Sequence, residues 1–351
     1  MTKQADDARD GAFGESFAVP SSTPMSTLSI VIPNFNYGAF VSDSVRSALA
    51  VDWPDVEVIV VDDGSTDNSL EVLRSFGDRI TVISQENAGP RVACNRGFAA
   101  SRGDAVIFLD SDDVLEPTIA RDVAVEWRVG VSKVQVQMCR IDRDGRAISR
   151  PFPAYRRVPS PEQIRYWIRA TSAYPTPPGS GNVYARSFLE RLFPLDDRCG
   201  DATDSACLAA APFLGDVVTI PRALVRYRVH GGNRSSLLAS PDRFRRQIER
   251  AHQRQGLAME LAGDACEDEV IAALRRGRHL LQMRVAERRL CGGEAPIPGD
   301  SRLRIAWDAV RSVAAPGPES LLQRLAVSAW CLAGLFGPQL VLQRLVTWRF
   351  T

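Results

Sequence analysis

The sequence predicts an α/β fold built on a mostly parallel sheet flanked by helices, with a helical appendage at its C-terminal end. Three observations point to it. From Leu28 onward, short and nearly continuous apolar runs alternate with helical stretches, the pattern of parallel strands covered on both faces. Acidic or polar turns follow three of these runs, at the sheet edge where open α/β folds take their ligands. Beyond Pro241 the strand-like runs give way to helical, Arg-rich sequence.

Taken in order, residues 1–27 carry Asp6, Asp7, Asp10 and Glu15 without an apolar stretch, so they are expected to be a disordered leader rather than a secretory signal. LSIVIP (28–33) is the first expected strand, stopped by Pro33 and the asparagines after it, and a helix follows over 38–50. VEVIVVD (56–62) leads to a helix over 67–76, ITVIS (80–84) to one over 90–101, and AVIFLD (105–110) to one over 117–128. After about residue 130, KVQVQMCRID and the turn-like RDGR (143–146) suggest a strand and reversal, followed by loops rich in proline and glycine. A helix is expected over 202–211 and strand pairing over 217–230. The expected organisation is therefore a 28–240 domain, divided into halves 28–115 and 116–240, and a helical region over 241–351.

Within that tail, LAVSAWCLAGLFGP (325–338) is apolar or small throughout. It is shorter than the roughly 20 residues a membrane-spanning helix needs. An interfacial amphipathic segment over 325–348 and a hydrophobic hairpin packed on the rest of the chain are both open at this point.

Of 351 residues, 43 are Lys or Arg and 42 Asp or Glu, a formal charge of +1. No global field recruits nucleic acid. Only Lys3 and Lys133 are lysines, which makes a Schiff-base mechanism an unattractive reading and favours fixed guanidinium forks for anions. The seven cysteines are scattered and never in CxxC spacing, against both a disulfide framework and a zinc site and in favour of a cytoplasmic setting. There is no GxGxxG after the first strand and no GxxxxGK[ST], so dinucleotide oxidoreductases and phosphate-loop NTPases are set aside.

The acidic run LDSDD places Asp110, Ser111, Asp112 and Asp113 directly after an apolar strand. Asp110 and Asp112 are expected on one side of an extended backbone, where two carboxylates suit Mg²⁺ or Mn²⁺ completed by substrate phosphates. VVDDGSTDNS brings Asp62 and Asp63 to the end of the second strand, placed to bond a base or ribose edge. IPNFNYGAF closes the first strand with Pro33 and Asn36, and Gly38 permits a tight turn.

In this order and spacing, SIVIPNFNYGAF, VIVVDDGSTDNS, ENAGPRVACNRGFAASRGD and AVIFLDSDDVLEP resemble the family 2 glycosyltransferases of the GT-A fold over about residues 28–240. The resemblance implies a nucleotide-binding sheet and metal-dependent, inverting transfer of a sugar from a UDP- or GDP-type donor to a glycan or lipid-linked acceptor. It implies that Asp110, Ser111, Asp112 and Asp113 meet the metal, ribose and diphosphate, and that Asp62 and Asp63 with Pro33 and Asn36 hold the nucleoside. Arg91 would approach the diphosphate or the base, although Cys94 stands where many members carry Arg or Lys. In RYRVHGGNRSS, His230 would join the metal or contact the diphosphate, with Arg228, Asn233 and Arg234 near the phosphates. Gly181 and Asn182, before an expected helix, would shape the acceptor pocket.

Inversion needs a base for the acceptor hydroxyl. Within RCGDATDSACLAAAPFLGD the resemblance, aligned on the spacing to Gly215, implies that Asp204 is this base, with Asp201 the competitor. The setting the resemblance suggests is bacterial cell-envelope polysaccharide synthesis, at the inner face of the cytoplasmic membrane if the tail contacts lipid. A homodimer through the tail is a further expectation. The rival reading is a catalytically inactive domain of the same fold, binding sugar nucleotide within a glycan assembly complex.

Overall fold

The computed structural model describes residues 25–199, 203–230, 242–291 and 294–350. In chain order the first half contains β1 (Thr27–Asn34), α1 (Val41–Leu49), β2 (Asp55–Asp62), α2 (Ser69–Arg74), β3 (Thr81–Ser84), α3 (Pro90–Ala100), β4 (Ala105–Phe108), β5 (Val114–Leu115) and α4 (Ile119–Glu126). There follow β6 (Val131–Ile141), α5 (Pro161–Thr171), β7 (Asn182–Ala185), α6 (Arg186–Leu189), α7 (Thr203–Leu214) and β8 (Asp216–Arg228). The tail contains α8 (Asp242–Leu261), α9 (Glu267–Arg276), α10 (Arg278–Leu290), α11 (Arg302–Arg311), α12 (Leu321–Phe336) and α13 (Gln339–Phe350).

One eight-stranded sheet has the order β3-β2-β1-β4-β7-β6-β8-β5. β3, β2, β1 and β4 run parallel, as do β6 and β8, while β7 runs antiparallel to β4 and β6, and β5 antiparallel to β8. In β1 every residue but Pro33 is buried, which is why its apolar run shows no alternation. One core fills the face between the sheet and α1 and α4, built on Ile30, Ile32, Val45, Leu73, Ile119 and Val123. The opposite core joins Val31, Phe98 and Phe108 to Ala206, Cys207 and Ala210 of α7. A Cβ on Gly97 would collide with Val31, so glycine there lets α3 lie directly on β1.

Three expectations need correction. The ordered chain starts before Leu28: Met25 is buried, and the amides of Ser26 and Thr27 both donate to Asp104 Oδ2. Residues 1–24 lie outside the described residues. β4 ends at Phe108, and the chain then turns, with the Asp113 amide donating to the Asp110 carbonyl at 3.1 Å; the acidic run is a turn, not an extended segment. Asn182 opens a strand rather than preceding a helix, because Val183 and Tyr184 pair with both β4 and β6.

The expected boundary near residue 240 falls among residues 231–241, outside the description. The tail shares the core of the sheet domain, since Leu257 and Ala258 of α8 belong to the same cluster as α7. α12 and α13 form a hairpin whose inward residues Trp330, Cys331, Leu335, Leu342 and Val346 pack with Leu281 and Val285 of α10. Leu325, Phe336, Leu340, Val341 and Trp348 remain exposed. Among the described residues no helix is long and apolar enough to cross a membrane.

Candidate active site

The carboxyl ends of β1, β2 and β4 lie side by side, and each carries one of the polar turns. The turn after β4 is anchored from four directions. Ser44 Oγ donates to the carbonyls of Asp110 and Asp113, Ser111 Oγ donates to the Pro33 carbonyl, and the Asp110 amide donates to Ser180 Oγ. From β8, the Arg228 amide donates to Asp113 Oδ1 and its Nε to the Asp112 carbonyl. Arg228 also reaches the Arg143 carbonyl and Asp43, so it holds the turn instead of facing a phosphate.

The acidic side chains differ in outlook. Asp110 is accessible from the cleft, Asp112 is nearly buried, and Asp113 is fully buried. Asp112 Oδ2 lies 3.0 Å from His230 Nε2, and the imidazole packs on Phe40 with centroids 4.7 Å apart. Asp113 Oδ2 is buried without a hydrogen bond. Burial, then the Asp110 and Asp112 carboxylates, raise Asp113 well above the usual carboxylate range. Enclosure, then Asp112 and Asp204, push Asp110 up to about 7. Asp110 touches water through the cleft while protein surrounds it elsewhere, so the like charges around it are poorly screened.

Such crowding of acids fits a hard divalent cation. Among the described residues no group of three or more His, Cys, Asp or Glu side chains is arranged to cage an ion. Mg²⁺ commonly takes one or two carboxylates and completes its shell with water and substrate phosphates, a role open to Asp110 and Asp112. Asp113, turned inward onto β8, braces the turn.

Asp204 sits in the first turn of α7, where the helix dipole favours an anion. Its Oδ2 accepts from the Gly179 amide at 3.3 Å. A Cβ placed on Gly179 would lie 3.5 Å from Asp110 Oδ2 and 3.8 Å from the Asp204 Cβ. The open position beside Gly179 is thus within 4 Å of both side chains. Asp201, Asn233 and Arg234 lie outside the described residues.

The remaining expected residues shape the site from behind. Asp62 accepts from Asn34 Nδ2, Ser65 Oγ and the Ser65 amide, and Asp63 from Gln85 Nε2 and the amides of Ala88 and Gly89. Both fix the loops that wall the cleft. Asn36, at φ 58, accepts from the Thr66 amide at 2.7 Å and ties the first turn to the second. Pro33 is partly exposed at the strand end. The Arg91 guanidinium is engaged by the Leu195 carbonyl and Asp197. Gly181 and Asn182 are buried. Sequence reasoning missed Ser44, Ser180 and Gln85, which act across long sequence separations and carry no local signal.

The family model for glycosyl transferase family 2 matches residues 29–193. An uncharacterized glycosyltransferase of Nostoc, alr2836, is 35% identical over 219 residues, covering 61% of this chain and 68% of its own length. The chain belongs to glycosyl transferase family 2. This transferase is also 37% identical over 137 residues to chondroitin synthase of Escherichia coli and 33% identical over 118 residues to the E. coli glycosyltransferase YibD. Those matches span 20% and 34% of the relatives' own lengths. Among solved structures, S. aureus TarS 1-349 in complex with UDP superposes with a TM-score of 0.55 at 15% identity, covering 88% of this chain and 90% of that one. The mannosyltransferase PcManGT from Pyrobaculum calidifontis, in complex with GDP-Man and Mn²⁺, gives 0.51 at 18% identity, covering 94% and 86%. These likenesses establish the GT-A architecture of the transferase.

Proposed function

We propose that this transferase moves a sugar from a nucleoside diphosphate donor to an acceptor hydroxyl in one inverting displacement, assisted by Mg²⁺ or Mn²⁺. The observation that carries the reading is the approach of Asp110 and Asp204 to the same position beside Gly179. A leaving diphosphate held at the Asp110–Asp112 turn and a base at Asp204 then border one small volume, and inversion requires that they address opposite faces of the sugar placed there.

The donor nucleoside lies along the turns after β1 and β2, whose shape Asp62, Asp63 and Asn36 fix. Asp204 takes the proton of the acceptor hydroxyl as that oxygen forms its bond to the anomeric carbon, and the nucleoside diphosphate departs with the electrons of the broken bond. Asp110 and Asp112, the latter steadied by His230, would hold the divalent cation, which would supply neutralisation of charge on the departing diphosphate. His230 keeps the Asp112 carboxylate in place, and Ser44 and Arg228 keep the turn from swinging.

Asp204→Asn retains the shape and hydrogen-bonding reach of the side chain but removes the base. The expected outcome is unchanged UDP or GDP binding with transfer slowed by about 10²–10⁴-fold, the usual contribution of such a base, followed as nucleoside diphosphate release. Undiminished turnover in that variant would remove Asp204 from the chemistry and return Asp201 to the role.

A further inference from the structure

A cavity of about 470 Å³ lies between the loop after α5, the start of α7, α8, α10 and the stretch 317–319. Its volume falls in the range that takes a sugar-sized ligand. Ser205, the neighbour of Asp204, lines one end, and Tyr174, Arg254, Arg278, His279 and Glu319 are among the other lining residues. The cavity therefore opens next to the proposed base, on the side formed by the tail helices rather than on the side of the nucleoside turns.

Its charges are unevenly used. Arg278 is spent: Nη1 donates to the Ser312 and Ala315 carbonyls, and Nη2 to the Pro316 carbonyl and Glu319. Glu319 offsets that charge. Arg254 makes no hydrogen bond or ion pair among the described residues, and neither does His279. Asp204 acts on Arg254 through space, and Arg250 opposes it. Arg254 is half-buried and lines the cavity without a contact partner among the described residues, and its planar fork matches a phosphate oxygen pair.

We infer that this cavity receives a phosphate-bearing portion of the acceptor, with Arg254 as the counter-charge, while the acceptor hydroxyl is presented to Asp204 at the Ser205 end. The inference rests on the transferase reading of Asp204 and adds to it a substrate class. A phosphorylated glycan unit and a lipid-linked phosphate share this chemistry.

The test is calorimetric titration of the full chain and of Arg254→Gln with glucose 6-phosphate, a short-chain prenyl phosphate and neutral glucose, alongside separate titrations with UDP and GDP in Mn²⁺. The expected result is phosphate-dependent binding that weakens roughly tenfold or more in the variant, the loss of one charge-assisted contact. Nucleotide binding stays unchanged. The phosphate probe that binds more tightly tells whether the source is soluble or lipid-linked. Protection of Arg254 from phenylglyoxal by the same probes, read by peptide mass spectrometry on the wild-type chain, gives the answer if Arg254→Gln does not fold. Absence of phosphate binding, equal binding in the variant, or no protection overturns the inference. Phosphate binding that depends on Arg254 without any nucleotide binding would uphold the anion site and instead contradict the donor reading.

Discussion

Asn182 is wholly buried at the start of β7, and its side-chain amide points two ways. Nδ2 donates to the carbonyls of Pro177, Pro178 and Gly179, and Oδ1 accepts from Lys133 Nζ at 2.9 Å. Lys133 is equally buried, bonded also to Gln135 and Thr176 and set 5.0 Å from the Tyr174 ring centre. Burial pulls its ammonium well below the usual lysine range. Together they hold the loop that keeps Gly179 beside Asp110 and Asp204. Asn182→Ala leaves this cluster short of an acceptor and is expected to cost about 2 kcal/mol, measured by urea unfolding, with transfer impaired more than nucleotide binding. The family resemblance placed Asn182 at the acceptor; the sequence names the residue but not whether its amide faces the cleft or the backbone behind it. The same holds for Asp62, Asp63 and Arg91, whose polar character was legible while their partners, Ser65, Gln85 and Asp197, were not.

At the scale of elements, β1, β2 and β4 were legible because strands buried on both faces leave uninterrupted apolar runs. β5 spans two residues and β7 four, too few for periodicity, and both exist through tertiary pairing with β8, β4 and β6. The acidic turn after β4 was located correctly but expected to be extended, since nothing local foretells Ser44, Ser180 and Arg228 closing on it. α10 carries a pH-sensitive position. His279 lines the cavity and is open to its solvent; desolvation by the surrounding helices, then Arg254 and Arg349, lower it to about 4, against a weaker opposing pull from Glu319. The unfolded chain therefore takes up this proton first, near the ordinary value of about 6.5, and stability is lost as pH falls from there toward 4. Relative to His279→Gln, the wild-type urea midpoint should drop across that interval and run parallel to it above pH 7; a constant offset throughout would contradict a histidine held neutral in the folded chain.

Across the whole molecule, the tail is an integral wall rather than a tethered appendage. α8 shares a core with α7, and the buried Arg284 ties Asp300 to Asp308 on α11 through contacts of 2.6–2.7 Å. This wall closes the cavity beside Asp204, while α11, α12 and α13 leave Leu303, Trp307, Leu322, Leu340 and Trp348 exposed on the outside. The apolar character of 325–338 was visible in the sequence, but how it divides into a packed and an exposed face was not, because the stretch is apolar or small throughout and marks neither face. The central claim is that the turns after β1, β2 and β4 bind a nucleoside diphosphate with a divalent cation. Calorimetric titration of the full chain with UDP and GDP, each with and without Mn²⁺, tests it most directly. Binding of one nucleotide that strengthens with Mn²⁺ in the wild type, and loses that dependence in Asp110→Asn, is the expected result. Folded protein that binds neither nucleotide in the presence of Mn²⁺ would contradict it and leave an inactive domain of the same fold as the better description.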